Sequence, residues 1–389
     1  MIKTIDESFL NIQNGANIKQ GDIKGGFPIT RIETLANDRF NRDRMGYAGI
    51  TDASMYQSYI LEDGDLLMSH INSVQYLGRT VLYTKKSNEI IIHGMNLLRL
   101  KPRRTIINPA YARYCFYGQP FRSQIGHITK KSVNQASFAV KDLKKIKIDI
   151  PSMLEQNRIV VLLDKIQRVI DLRQKELLYL DNLIKARFVE MFGDLQTNPY
   201  GWKISNFNKI SELITDGEHA TPRRTDSGIY LLSARNVLNH KLALNDVDYI
   251  DQEEYERIAK RIVPRAGDVL ISCSGTVGRV CSVPHNFKFQ MVRSVALIRF
   301  QKGINPVFME YQITMPFIQN QINAYKSQSA QANLFQGKIK QLAAAVPPIE
   351  LQEKFIRFVY QVDKSKVAIQ RSLDETQLLF DSLMQKYFG

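Results

Sequence analysis

Arginine serves two purposes at a polyanion surface: it binds phosphate, and it hydrogen-bonds bidentately to the edge of a guanine. The sequence carries arginine in short clusters. Asn37-Asp38-Arg39-Phe40-Asn41-Arg42-Asp43-Arg44 places Arg39, Arg42 and Arg44 in one stretch, and Thr221-Pro222-Arg223-Arg224-Thr225 sets two side by side. Lys85-Lys86, Arg103-Arg104, Lys130-Lys131, Arg235-Asn236, Arg279 and Lys326 add further cations and one amide. Most lie in predicted loops, where binding residues concentrate. Cations of this kind neutralise phosphates for affinity, and Arg, Asn or Gln read base edges for specificity. Any one cluster fits a solvated loop at least as well. Matching placement in two parts of the chain is what favours contact, above all Lys130-Lys131-Ser132-Val133-Asn134-Gln135 beside Lys326-Ser327-Gln328-Ser329-Ala330-Gln331.

Catalytic constellations do not emerge. There is no GxxxxGK[ST] loop for a nucleotide motor and no GxGxxG-type loop after a strand for a dinucleotide or methyl donor. Asn198-Pro199-Tyr200 carries part of the Asn/Asp-Pro-Pro-aromatic motif of amino-methyltransferases but lacks its second proline. Gly275-Thr276-Val277-Gly278 can form a tight turn near phosphate, yet is too short to identify a site. His70, His93, His127, His219, His240 and His285 lack metal-ligand spacing and are expected at the surface or in the core. Cys115, Cys273 and Cys281 are too few and too scattered for a disulfide framework or a zinc site. No clustered Asp/Glu/Lys triad supports a nuclease. The chain is expected to be no enzyme and to hold no metal or cofactor of its own.

The elements that position these residues come from charge and repetition. The 389 residues exceed one ordinary core, and the net charge is +15. Residues 1–150 hold 22 basic and 13 acidic side chains, and residues 196–345 hold 18 and 12. Residues 151–195 balance at 7 and 7, and residues 346–389 at 6 and 6. The whole excess therefore lies in two blocks, which suits a polyanion such as nucleic acid, though a generically basic protein has the same composition. No apolar run approaches a membrane span, and Met1–Glu7 lacks a signal-peptide layout, so a cytoplasmic location is expected.

The two blocks are copies. Residues 135–193 align without a gap onto 331–389, anchored by Gln135-Ala136 with Gln331-Ala332, Lys144 with Lys340, Pro151 with Pro347, Gln156 with Gln352, and Phe192-Gly193 with Phe388-Gly389. Upstream, Gly64-Asp65-Leu66-Leu67-Met68-Ser69 matches Gly267-Asp268-Val269-Leu270-Ile271-Ser272, and Asn14-Gly15 matches Asp216-Gly217. Met153 to Phe192 contains neither Pro nor Gly, and its apolar residues Leu163, Ile166, Ile170, Leu177, Leu180, Ile184 and Met191 form an a/d seam. Phe355, Val359, Val362, Ile369, Leu373, Phe380, Leu383 and Tyr387 form a second seam. About 40 helical residues span roughly 60 Å, which indicates a coiled coil in which the two seams pack together. Arg173 and Arg187 interrupt the first seam, and Lys366 and Thr376 the second. They either set register or face solvent. Between the helices, β-like runs such as Ile90-Ile91-Ile92, Asp268–Ser272 and Ser294–Phe300, separated by turns, predict mixed α/β domains of about 150 residues.

At this level the sequence resembles the specificity subunit of type I restriction–modification systems. The resemblance rests on Ile229–Val237, Pro264–Ser272, Gly275-Thr276-Val277-Gly278-Arg279, Gln331-Ala332-Asn333-Leu334 and Val346–Gln352, in that order. The first half carries Gly64-Asp65-Leu66-Leu67 and Ile150–Gln156, but Val74-Gln75-Tyr76-Leu77-Gly78-Arg79 departs from the Gly-Thr-x-Gly pattern. The resemblance implies an α+β fold with a pseudo-two-fold internal repeat. Target recognition domains would occupy 1–150 and 196–345, and spacer helices, paired as an antiparallel coiled coil, 151–195 and 346–389. Each domain would read one half of a split double-stranded DNA site. The helices would set the spacing and dock two methyltransferase (modification) subunits, which would carry the S-adenosylmethionine pocket, and restriction or translocase subunits could join. A stand-alone DNA-binding or architectural protein that self-associates through its coiled coil is the alternative.

Overall fold

The computed structural model describes residues 1–21, 26–133, 135–326 and 332–389. The chain divides into two units, one of residues 1–174 and 371–389 and one of residues 175–370. Each is an α+β assembly, and the same plan is used twice. In the first unit a four-stranded antiparallel sheet runs in the order Phe9–Asn14, Leu97–Pro102, Leu66–Ser69, Thr80–Leu82. In the second the order is Ser211–Asp216, Val295–Phe300, Val269–Ser272, Val280–Ser282. Both outer strands slip register at the same place, between Phe9 and Asn11 and between Ser211 and Leu213. Leu66–Ser69 and Val269–Ser272 are buried throughout, as expected of strands covered on both faces. Gly64 and Gly267 start these strands at φ +87° and +85°, a left-handed conformation that glycine adopts without a Cβ penalty.

One predicted strand is absent. Ile90-Ile91-Ile92 forms no continuous ladder; Ile92 makes isolated bridges to Ile29 and Ile60. The run is apolar because Ile91 and Ile92 are buried in the core, not because they belong to a sheet. The runs at 268–272 and 294–300 do contain strands.

The long segments are helices, Met153–Phe192 and Ile349–Phe388. The first unit contains the N-terminal part of the first helix and the C-terminal end of the second, and the second unit the reverse. In the second unit Asp181 meets Lys366 at 2.7 Å, Phe188 packs edge-on against Phe355, and Arg187 lies over Phe358. Partner numbers fall as helix numbers rise, so the pairing is antiparallel. The polar interruptions are also resolved. Arg173 donates to the Ser372 carbonyl and to the Thr376 hydroxyl, so two of them are partners in one cross-helix contact. Lys366 is another cross-helix partner, of Asp181. These groups are half-buried or exposed and face the opposing helix, where polar pairs help to specify register.

The repeat anchors have a structural meaning. Gln156 accepts the Asn108 N–H at 2.8 Å and donates to the Ile106 and Pro151 carbonyls. Gln352 accepts the Asn305 N–H at 2.8 Å and donates to the Pro347 carbonyl at 2.8 Å. Asn108 and Asn305 each cap a helix that opens with proline, Pro109–Tyr117 and Pro306–Thr314. One glutamine therefore ties the start of each long helix to the cap of a short one. Gln352 is fully buried, and Gln352→Ala leaves an N–H and a carbonyl unpaired. At about 1–3 kcal/mol per orphaned group, the second unit is expected to lose roughly 2–4 kcal/mol in a denaturant titration; an unchanged midpoint would refute the clamp.

Candidate nucleic-acid interface

The cations singled out in the sequence fall into two structural classes. Arg44, Lys85, Lys86, Lys130 and Lys131 are exposed and carry no ion pair among the described residues. Lys130 and Lys131 lie on a short strand that pairs with Ala136–Ser137, which pairs in turn with Ile71–Asn72. Asn134 and residues 327–331, part of the paired segments noted in the sequence, lie outside the described residues. Arg279 is half-buried behind the Gly275–Gly278 turn, and its N–H donates to the Ser272 hydroxyl at 2.9 Å. Lys326 donates to the Asn323 side chain at 2.7 Å.

Arg39, Arg42, Arg223, Arg224 and Arg235 are held by carboxylates. In the first unit Arg39 pairs with Asp171, and Arg42 donates from Nε to Glu89 at 2.9 Å. The Arg42 hydrogen bonds bring the Glu89 carboxyl down to about 2, and Glu89 in turn raises the Arg42 guanidinium. Arg39, Arg42 and Lys86 share a cleft of about 400 Å³ with Phe40. In the second unit Arg223 pairs with Asp251 at 2.9 Å and Glu253 at 2.8 Å. Arg224 and Arg235 converge on Asp248 at 3.0 and 2.8 Å. Burial pushes the Asp248 carboxyl up, and hydrogen bonds and charge from both arginines more than reverse it, leaving it below its ordinary value. Arg223, Arg224 and Arg235 thus sit on an acidic frame of aspartates and glutamates, which fixes their positions and partly neutralises them. Asn236 faces inward: it is 1% exposed, and its amide accepts the Ser233 N–H and donates to the Ala243 and Asp246 carbonyls. It braces the Arg235 loop from beneath.

Residues considered for catalysis have structural partners. Asn198 adopts φ +46°, accepts the Trp202 N–H and donates to the Trp202 carbonyl, closing the turn after the first long helix. Trp202 donates to the Phe192 carbonyl at 2.8 Å and locks that helix end. Burial lowers His70 to about 4 and His93 to about 3, keeping both neutral in the first unit. All three cysteines are buried and free. Among the described residues no group of His, Cys, Asp and Glu could hold a metal ion, and no helix is long and apolar enough to cross a membrane.

Arg293 is an exposed cation that the sequence reading did not single out. Arg293 stands alone in Met291-Val292-Arg293-Ser294, without a basic neighbour to mark it, and has no ion-pair partner among the described residues. It lines a cleft of about 320 Å³ in the second unit with Asp216, His219, Ser274 and Phe335. It lies in the turn between two neighbouring strands, and no local pattern signals it, because the residues that share its cleft come from distant parts of the sequence.

Comparison with known proteins agrees with this two-fold plan. The chain is 27% identical over 363 residues to a sequence named as the type I restriction enzyme MjaX specificity subunit of Methanocaldococcus jannaschii, covering 90% of this chain and 84% of that one. It is 24% identical over 212 residues to the EcoKI specificity subunit of Escherichia coli, covering 53% of this chain and 45% of that one. The fold matches the crystal structure of a type I restriction–modification S subunit from M. genitalium with a TM-score of 0.58 at 13% identity, covering 100% and 96% of the two chains. A chain solved for the assembly and conformational transition of the type I R-M system matches equally, with a TM-score of 0.58 at 16% identity over 100% and 97%. The family model of the type I restriction modification DNA specificity domain matches twice, over residues 5–181 and 199–376. With both halves matched, the chain belongs to the type I restriction–modification DNA specificity family.

Proposed function

We propose that this chain is the non-catalytic DNA-reading subunit of a type I restriction–modification complex. Residues 1–150 and 196–345 are its target recognition domains, and each reads one half of a split site in double-stranded DNA. Residues 151–195 and 346–389 are spacer helices that set the distance between the halves. The observation that carries this reading is the duplication itself: one sheet order, one glutamine clamp and one Gly-Asp strand start, each used twice, with the net positive charge confined to the two blocks outside the charge-balanced helices. A bipartite target needs two readers on one frame.

Two methyltransferase subunits dock on the helices, and restriction subunits join them. Leu178, Tyr179 and Leu183 on the first helix and Tyr360 and Val367 on the second are exposed apolar residues that a solvated helix face does not need. S-adenosylmethionine belongs to those partners, and the complex works in the cytoplasm. The test is methyl transfer to DNA by the modification subunit with and without this chain. Sequence-dependent methylation only in its presence is expected; methyl transfer by this chain alone would overturn the proposal. An oligomer that ignores the modification subunit would favour a self-associating DNA-binding protein.

Phosphate contacts by Arg39, Arg42, Arg44, Lys85, Lys86, Lys130, Lys131, Arg223, Arg224, Arg235, Arg279 and Lys326 are part of this proposal, with Asn236 in support. Each phosphate neutralised contributes about 0.9 to the slope of log affinity against log salt. Replacing Arg223 and Arg224 by Gln is expected to weaken binding and flatten that slope by up to about two. An unchanged slope removes them from the contact set and assigns them to the acidic frame alone.

A further inference from the structure

We propose that Arg293 reads a guanine in the half-site bound by the second unit, and that Met95 occupies the equivalent reading position of the first unit. This rests on the DNA-specificity reading above. The equivalence is a matter of hydrogen bonds. In the first unit the Ala16 N–H donates to the His93 carbonyl at 2.8 Å and the Met95 N–H to the Ala16 carbonyl at 3.1 Å. In the second unit the Glu218 N–H donates to the Met291 carbonyl at 2.8 Å and the Arg293 N–H to the Glu218 carbonyl at 3.0 Å. The preceding glycines, Gly15 and Gly217, lie where a Cβ would approach the Gly94 and Met291 carbonyl oxygens to 2.0 and 2.3 Å. Only glycine fits such a crossing, so the backbone that presents position 95 or 293 is retained closely in both copies.

The side chain presented there is not retained. Met95 is 43% exposed, and Arg293 is exposed at the rim of its cleft. A phosphate contact is blind to sequence, so both halves would need a cation there. A base-reading position has the opposite requirement: a constant mount and a side chain that differs with the base. Arginine matches the O6 and N7 acceptors of guanine, and an apolar side chain matches the thymine methyl group.

The surroundings leave Arg293 available. Among the described residues the one carboxylate lining its cleft, Asp216, already receives Arg261 at 2.8 Å and His219 at 2.8 Å. Its charge is thus committed to other partners. Phe335, 63% exposed, adds an apolar wall to the same cleft.

The test uses the full chain in complex with its modification subunit. Methylated motifs are mapped for the parent and for Arg293→Ala and Arg293→Met, and DNA-binding salt slopes and thermal melts are measured alongside. Both variants are expected to melt like the parent and to lose about tenfold discrimination for guanine at one position of one half-site, the other half-site being unchanged. Arg293→Met is further expected to gain preference for thymine there. An unchanged motif, or a uniform loss of binding with a salt slope lower by about one, would overturn the inference and mark Arg293 as a phosphate contact. If the parent complex itself yields no split methylated motif, the DNA-specificity reading fails with it. A parental motif that both variants keep sinks the Arg293 assignment alone.

Discussion

Asp268→Ala is expected to destabilise the second unit by about 3–5 kcal/mol, the cost of leaving a buried charge without its partner. Asp268 is 2% exposed and receives Arg299 through two hydrogen bonds of 2.7 Å. It also accepts the Arg265 N–H at 2.7 Å, closing the turn whose Gly267 starts the central strand. Removing the carboxylate strands the guanidinium beside the Val263 carbonyl, its remaining partner, and opens the turn. Asp268→Asn keeps an acceptor for the Arg265 N–H and is expected to lose less. The measurement is denaturant unfolding of the full chain; a loss below about 1 kcal/mol would show that water replaces the carboxylate. The first unit carries the same device in looser form. Asp65 accepts the Glu62 N–H at 2.8 Å, Arg99 stands 3.9 Å away, and burial raises the Asp65 carboxyl above its ordinary value.

A matched deletion of Gln174–Leu180 and Val367–Leu373 is expected to abolish methylation of the parental motif. Each segment is two turns, about seven residues and ~10 Å, so the a/d seam closes again in register. The cut spares Arg173 with Thr376 and Asp181 with Lys366, which lie outside the deleted segments, and removes Ser372, whose carbonyl also accepts from Arg173. It leaves both recognition domains intact. Any motif recovered is expected to keep both half-site sequences with a spacer about three base pairs shorter, at ~3.4 Å per pair. Methylation with unchanged spacing would refute the role of the helices as a spacer. Deleting the same turns from one helix alone mismatches the seam and is expected to prevent folding of the pair.

Local pattern made much of this legible. Forty positions without Pro or Gly and a repeating apolar seam are properties of neighbouring residues, and they locate helices at Met153–Phe192 and Ile349–Phe388 without any tertiary information. Gln156 and Gln352, and Asp65 and Asp268, stood out as matched anchors because a buried polar group with fixed partners tolerates little change. Ile90-Ile91-Ile92 misled because apolar character reports burial and not ladder formation. The arginine clusters were visible as cations, but the carboxylates that hold Arg223, Arg224 and Arg235 lie more than ten residues further along the chain.

The sequence by itself determined the duplication, the two long helices, the separation of charge and the family to which the chain belongs. The helices and the charge separation follow from short-range periodicity and composition, the duplication from matched segments, and the family from a resemblance of motifs that the family model bears out. Only the tertiary structure decided which arginines are free and which are tied to carboxylates, that Asn236 faces inward, and that Arg173 and Thr376 are each other's partners. It alone aligned Arg293 with Met95, through two glycine crossings that join segments about 80 residues apart. The physical reason is the same in each case. A side chain's availability is set by the partners that packing brings to it, and those partners are chosen in space, not along the chain.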